Sequence, residues 1–207
     1  GVSHNRPVHK EPTVNLNLRT PWDVVSQYGH SALRILKIAH DSQAELGRNT
    51  ANMEAFPVGA GGYAALVTRN EYLAIDIFRL LSSSIIMFQT MLDTAMTDSL
   101  RLDSRLSGVS PDDPFRDQWE KTLTKFGKDT ESFEKYHADI YKRFWVPLTH
   151  LTPNGLGPLK DFDIATVHQG LANGWNAYTL LSQGIGKPLE QDSWVTICAL
   201  HDLPNSM

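Results

Sequence analysis

The stretch RLLSSSIIMFQTMLD, residues 79–93, is the longest strongly apolar run in the chain, and it carries no charge between Arg79 and Asp93. As a helix this uncharged interval is about 20 Å long, whereas a bilayer core requires about 30 Å, so we expect no membrane span. Its three consecutive serines point about 100° apart on a helix and cannot line one groove. The run therefore predicts the middle of a long helix, the most enclosed helix of the protein.

One narrow stripe of this helix is polar while the positions around it are apolar. The stripe comprises Asp76, Arg79, Ser83, Thr90, Thr94, Thr97 and Arg101, and Met87 interrupts it. We expect a neighbouring helix, from this chain or from another copy, to come closest at Ser83, Met87 and Thr90.

Helical periodicity extends over most of the remaining sequence. It predicts helices at about 22–47, 70–102, 111–145, 163–181 and 190–201, and a glycine-rich loop at 48–67. The third helix has the clearest apolar face, formed by Phe115, Trp119, Leu123, Phe126, Phe133, Ile140 and Phe144. Without alternating strand patterns or a fixed repeat, the fold class is all-α: a bundle of four main helices plus short extra helices.

The chain divides into two regions. Residues 1–21 contain three prolines (Pro7, Pro12 and Pro21), mixed charge and no apolar periodicity, which predicts an extended N-terminal arm. Residues 22–207 are long enough to bury a sizeable core and predict a single helical-bundle domain. Asp161 or Asp163 is the expected N-cap of the fourth main helix.

Composition excludes several function classes. With 19 Lys and Arg against 23 Asp and Glu, the net charge is −4, and no basic block is present, so we expect no nucleic-acid partner. Cys198 is the single cysteine, which excludes an intramolecular disulfide and a cysteine-cluster zinc site. Because no signal-peptide pattern is visible, we expect a soluble, cytoplasmic protein, with a processed N-terminus left open.

A metal site is the main chemical alternative. Glu134 and His137 have the i,i+3 spacing that lets two side chains reach one metal in a helical bundle, and His137 lies on the apolar stripe. Adding His168 and Asp76 gives a candidate mononuclear site for a transition metal. A second Glu-x-x-His motif is missing, and the other interpretation of His137 is a core histidine hydrogen-bonded to a neighbouring helix.

Two further pairs have catalytic spacing. Cys198 and His201 stand at i,i+3, where a thiolate and its base can be neighbours, although a buried cysteine is the ordinary explanation. Arg143 and His150 resemble the Arg-x(4–6)-His motif of the HEPN ribonucleases, which are helical bundles, and Pro147 interrupts the interval.

These observations favour a non-enzymatic assembly or interaction protein, a homo-oligomer that associates through its N-terminal arm and its long second helix, or a complex with a protein partner. The first alternative is a metal-binding protein or enzyme with its site around Glu134 and His137. The second is a protein that coats an apolar surface peripherally, as phasins do. No cofactor is required by the sequence.

Overall fold

The computed structural model describes residues 21–55, 59, 61–150 and 162–207. These residues form helices and no strand, which confirms the all-α class. The helices are α1 (Pro21–Ala55), α2 (Gly61–Leu102), a 3-10 turn (Ser104–Leu106), α3 (Phe115–Lys125), α4 (Glu131–Tyr136), a π-helical segment (His137–Trp145), α5 (Val146–Thr149), α6 (Ile164–Gly184) and α7 (Trp194–Leu200). The predicted arm lies outside the described residues except for Pro21, the first residue of α1.

The first two helices are longer than predicted. α1 passes through Gly47 and ends at Ala55, and α2 begins at Gly61, so most of the predicted loop 48–67 is helical. One glycine inside a helix costs only about 1 kcal/mol. α1 packs along α2, and tertiary packing of this kind supplies most of the stability of helices in proteins.

α1 and α2 form an antiparallel hairpin that extends beyond the other helices. With 35 and 42 residues they are about 50 and 60 Å long, whereas α6 has 21 residues. No described residue between positions 41 and 72 is buried. An ion pair of 2.9 Å between Arg69 and Glu45 connects the two helices in this outer part.

α6, and not α2, has the larger buried fraction, although both helices contribute to the core. Of the 21 residues of α6, 12 are buried, against 11 of the 42 residues of α2, so the prediction that α2 is the most enclosed helix is wrong. The inward face of α6 includes Val167, Leu171, Trp175 and Tyr178, as its spacing predicts. Asp163 caps the helix by accepting a hydrogen bond from the Thr166 backbone N–H at 2.9 Å.

The predicted third helix is divided in two. α3 ends at Lys125, and Gly127 follows with a φ of +64°, the left-handed conformation that glycine adopts without a steric cost. Its start also differs, because Ser110 begins a turn and the helix starts after Pro114. The predicted apolar face survives the break: Trp119, Leu123, Phe133, Ile140 and Phe144 are all fully buried.

Candidate functional site

Two of the four proposed metal ligands lie on the surface. The exposed carboxylate of Glu134 accepts a hydrogen bond from the Thr130 hydroxyl at 2.8 Å. Asp76 is exposed as well and lies 3.6 Å from the guanidinium of Arg79. Both carboxylates are therefore solvated and have partners of their own.

The two histidines of this set are buried in different surroundings. The ring of His137 stacks on Tyr141 with centroids 5.0 Å apart. Nε2 of His168 lies 2.9 Å from the carbonyl oxygen of Pro204 and 3.7 Å from Sγ of Cys198. Among the described residues, no three His, Cys, Asp or Glu side chains are placed to hold a metal ion. The structure thus does not bring the four candidates into one site.

His137 begins the π-helical segment and belongs to a stack of aromatic rings. The Tyr141 ring stacks on Trp145 at 4.8 Å and on Phe115 at 4.7 Å, with interplanar angles of 15° and 17°. The wider turn of a π-helix keeps side chains four residues apart on one side of the segment. Burial, and then the cations of Lys142 and Arg116, lower the pKa of His137. Ring stacking accounts for the buried position of this histidine.

The side chains of Cys198 and His201 have different partners. Sγ of Cys198 is near His168 instead, and burial raises the pKa of the Cys198 thiol to about 11. The thiol is protonated at neutral pH and is a poor nucleophile. His150 of the ribonuclease-like pair is exposed, and its ring meets Trp145 edge-on at 6.0 Å.

A histidine pair joins the first helix to the C-terminal end of the chain. Nδ1 of His30 and Nε2 of His201 are 2.9 Å apart, so one ring donates to the other and at least one ring must be neutral. Burial lowers the pKa of both histidines, and Arg34 lowers that of His201 further while Asp202 raises it.

These lowered pKa values predict that the fold loses stability below about pH 6.5. The unfolded chain, with ordinary histidine pKa values of about 6.5, then binds protons that the folded chain excludes. We expect a loss of up to about 1.4 kcal/mol per pH unit for each histidine that stays neutral when folded. Urea unfolding between pH 8 and about pH 5 measures it. His30→Gln should reduce the pH dependence and the exposed-site control His150→Gln should not; equal slopes in both variants would contradict the assignment.

Within the described chain, α2 contacts α1 at Ser84, one residue from the predicted contact position Ser83, and the contact with another copy at Ser83, Met87 and Thr90 stays a prediction. Ser84 is the buried serine, and its hydroxyl donates a 2.8 Å hydrogen bond to the Ala32 carbonyl of α1. Ser83 is exposed, and Met87 and Thr90 are half-buried. The polar stripe of α2 therefore lies on the side away from Ala32 of α1, and the described part of the chain leaves Ser83 exposed there.

Large apolar side chains lie beside the polar stripe of α2 and are exposed. Tyr72, Ile75 and Ile86 are 62%, 47% and 42% exposed. Between Arg79 and Asp93 the outer face carries no charge. A helix face that points to water is ordinarily polar, and exposed apolar patches mark interaction sites. We refer to the side of α2 that bears these residues, from Tyr72 to Arg101, as the outer face.

A groove flanks the C-terminal half of the outer face. It has a volume of about 410 Å³, and its lining includes Thr97, Leu100, Arg101, Leu106, Val109 and Gln118. Leu106 and Val109, which follow α2 in the chain, are buried and provide an apolar floor. The outer face thus has protruding apolar side chains toward one end and a depression toward the other.

Asp93 connects the outer face to the core. The buried Tyr136 hydroxyl donates to Oε1 of Gln89 at 2.8 Å, and Nε2 of Gln89 donates to Asp93 at 2.9 Å. Surrounding protein atoms desolvate the Asp93 carboxyl and raise its pKa, and the Gln89 hydrogen bond acts in the opposite direction. Within the described ranges no Lys or Arg forms an ion pair with Asp93, so its charge lacks a close counterion.

α2 also satisfies a length and hydropathy test for membrane spans. It contains an 18-residue window of mean hydropathy 1.3, of which 39% is buried in the protein. This 18-residue window can contain up to two charged residues. It is therefore longer than the uncharged interval between Arg79 and Asp93, from which we predict that the chain has no membrane span. Length and composition do not distinguish a span from a core helix, and the absence of a span stays a prediction.

Sequence periodicity alone did not single out Tyr72, Ile75 and Ile86. These three residues lie on the same side of the helix as Ser83, and this shared side was the available signal. Because apolar residues surround the polar stripe, however, its pattern also fits a contact between two helices. The functional interpretation therefore depends on the geometry of α2. Comparison of the chain with protein-family models, with curated proteins and with solved structures found no match.

Proposed function

We propose that this chain is a non-enzymatic assembly protein whose copies associate through the outer face of α2. The observation that carries the proposal is the exposure of Ile86, which is 42% exposed at the centre of an uncharged interval on the side away from α1. Covering such a face removes apolar area from water, at about 25 cal/mol for each Å². A partner is the ordinary way to cover it.

We also propose an arrangement of the helices and a location for the protein. The chain forms a bundle of four main helices, namely α1, α2, the region from α3 to α5, and α6. The bundle is located in the cytoplasm, and the arm at residues 1–21 adds contacts to a neighbouring copy. The packing of α2 against α1, α6 and the π-helical segment supports the bundle. The single buried cysteine is consistent with a reducing compartment.

A substitution at the centre of the outer face tests the proposal. We expect the wild-type chain to be a dimer or a larger oligomer at micromolar concentration. Ile86→Lys should weaken association about a hundredfold, because each of the two copies then buries one lysine charge in the symmetric interface. Val195→Lys on α7 is the matched control, since Val195 is 55% exposed and lies elsewhere. Size-exclusion chromatography with light scattering measures the mass of each variant.

The outcomes separate the candidate partners. Association that Ile86→Lys abolishes and Val195→Lys preserves supports the proposal, and a further loss on deletion of residues 2–20 supports the role of the arm. A wild-type chain that stays monomeric at these concentrations overturns self-association. If that monomer floats with phosphatidylcholine vesicles and Ile86→Lys does not, the outer face coats an apolar surface instead.

A further inference from the structure

The outer face of α2 has opposite charges placed symmetrically about Ile86. Arg79 lies two turns before Ile86 and Asp93 two turns after it, each about 10 Å away along the axis. Steps of seven residues return to nearly the same side of a helix, so the three side chains share the outer face. All three are exposed.

We propose that two copies of this chain pack their α2 helices antiparallel across a two-fold axis at Ile86, with Arg79 of each copy facing Asp93 of the other. The inference rests on the proposed function and specifies its partner and register. A two-fold axis makes each contact occur twice, so one complementary pair of positions supplies two ion pairs.

Both charged groups are available for such a pair. Arg79 is 73% exposed and only 3.6 Å from Asp76, a distance at the long end for an ion pair. Asp93 is held in place by Gln89 and has no cationic partner in the described part of the chain. An arginine from a second copy would supply the counterion that the partly desolvated Asp93 lacks.

The apolar features follow the same symmetry. Tyr72 precedes Ile86 by as many residues as Leu100 follows it, so the two positions face each other in the antiparallel arrangement. Leu100 lines the groove of about 410 Å³, and Tyr72 is the most exposed large apolar side chain of α2. Ile75 and Thr97 are likewise equidistant from Ile86. An antiparallel partner therefore brings the exposed tyrosine of one copy to the groove of the other.

A parallel arrangement lacks these matches. It places Arg79 opposite Arg79 and Asp93 opposite Asp93, which juxtaposes like charges at both ends of the uncharged interval. It also places Tyr72 opposite Tyr72 and leaves the groove beside Leu100 without an apolar partner. Charge and shape thus favour the antiparallel register.

Charge reversal tests the register. We expect Arg79→Glu and Asp93→Arg each to weaken dimerisation at least about tenfold, because each creates two like-charge contacts. Mixing the two variants should restore dimers as heterodimers, and the double variant in one chain should dimerise like wild type. Analytical ultracentrifugation of the single variants, the mixture and the double variant measures these affinities.

Cysteine cross-linking provides a second measurement that needs no charge change. Ile86→Cys should form a disulfide-linked dimer on mild oxidation. Ile75→Cys and Thr97→Cys should each remain monomeric on a denaturing gel but cross-link when mixed. In the antiparallel register the two copies of position 75 are about 33 Å apart, whereas a disulfide requires Cα atoms within about 7 Å. The native Cys198 is buried, so wild type serves as the control.

These results distinguish the register from the association itself. A wild-type dimer in which Ile75→Cys and Thr97→Cys each cross-link to themselves, or in which mixing the charge variants restores nothing, overturns the antiparallel register and leaves self-association standing. A monomeric wild-type chain overturns both. Heterodimer formation together with cross-linking at position 86 supports the register.

Discussion

Phe133→Ala is expected to lower the free energy of unfolding by about 3–5 kcal/mol. Phe133 is fully buried, and its ring stacks on Trp119 with centroids 5.1 Å apart and planes 7° apart. It also meets Phe115 edge-on at 5.6 Å. Removing the ring deletes these contacts and leaves a cavity between α3 and α4 that rigid neighbouring rings cannot fill.

Trp145→Ala is the control for this prediction. Trp145 lies at the other end of the same ring stack and is half-buried, so part of its surface is already in water. We expect it to cost about half as much, since the cost follows the apolar area that the fold removes from water. Urea unfolding followed by far-UV circular dichroism measures both variants. If both variants lost the same free energy of unfolding, the contribution of a ring in this stack would not depend on how deeply the ring is buried.

The core of this region could be predicted from the sequence because its helix is amphipathic. Trp119, Leu123, Phe133 and Ile140 recur at helical spacing among polar residues, and all four are buried. The break at Gly127 could not be predicted, since the apolar pattern continues across it. A periodic pattern specifies which side of a helix faces inward and does not specify where the helix is interrupted.

The orientation of α2 could not be predicted because its own apolar residues lie on nearly all sides of the helix. Phe88 and Met91 face inward, while Ile75 and Ile86 face water. A stripe of serine and threonine in such a helix fits a tight helix contact and a solvent face equally well. The packing of α1, which includes the hydrogen bond from Ser84 to Ala32, shows which side is covered.

The metal-site hypothesis illustrates a similar limit. Glu134 and His137 have the correct spacing for a shared metal, yet the first is exposed and the second is buried. Side chains three residues apart on an α-helix point about 60° apart, and the backbone at Tyr136 and His137 is α-helical, so the edge of the buried side falls between Glu134 and His137. Sequence spacing places two side chains close together on a helix and does not reveal where the surrounding helices end the buried side.

Gly174→Ala should lower the free energy of unfolding by about 2 kcal/mol, whereas Gly47→Ala should raise it by about 1 kcal/mol. Both glycines lie inside long helices, so alanine improves the helical propensity at each. A Cβ at Gly174 would lie 2.5 Å from Phe88 and 2.7 Å from Tyr136, both fully buried. At Gly47 nothing lies within 4 Å of the added atom.

The opposite signs test how α6 packs into the core. At Gly174 a methyl group displaces the ring of Tyr136, whose hydroxyl holds Gln89, and the overpacking cost exceeds the gain in propensity. Thermal and urea unfolding of both variants measure the two changes. If Gly174→Ala stabilised the protein as Gly47→Ala does, α6 would not approach α2 and α4 this closely. Because Gln89 also positions Asp93, a destabilised Gly174→Ala chain should associate more weakly, while Gly47→Ala should associate like wild type.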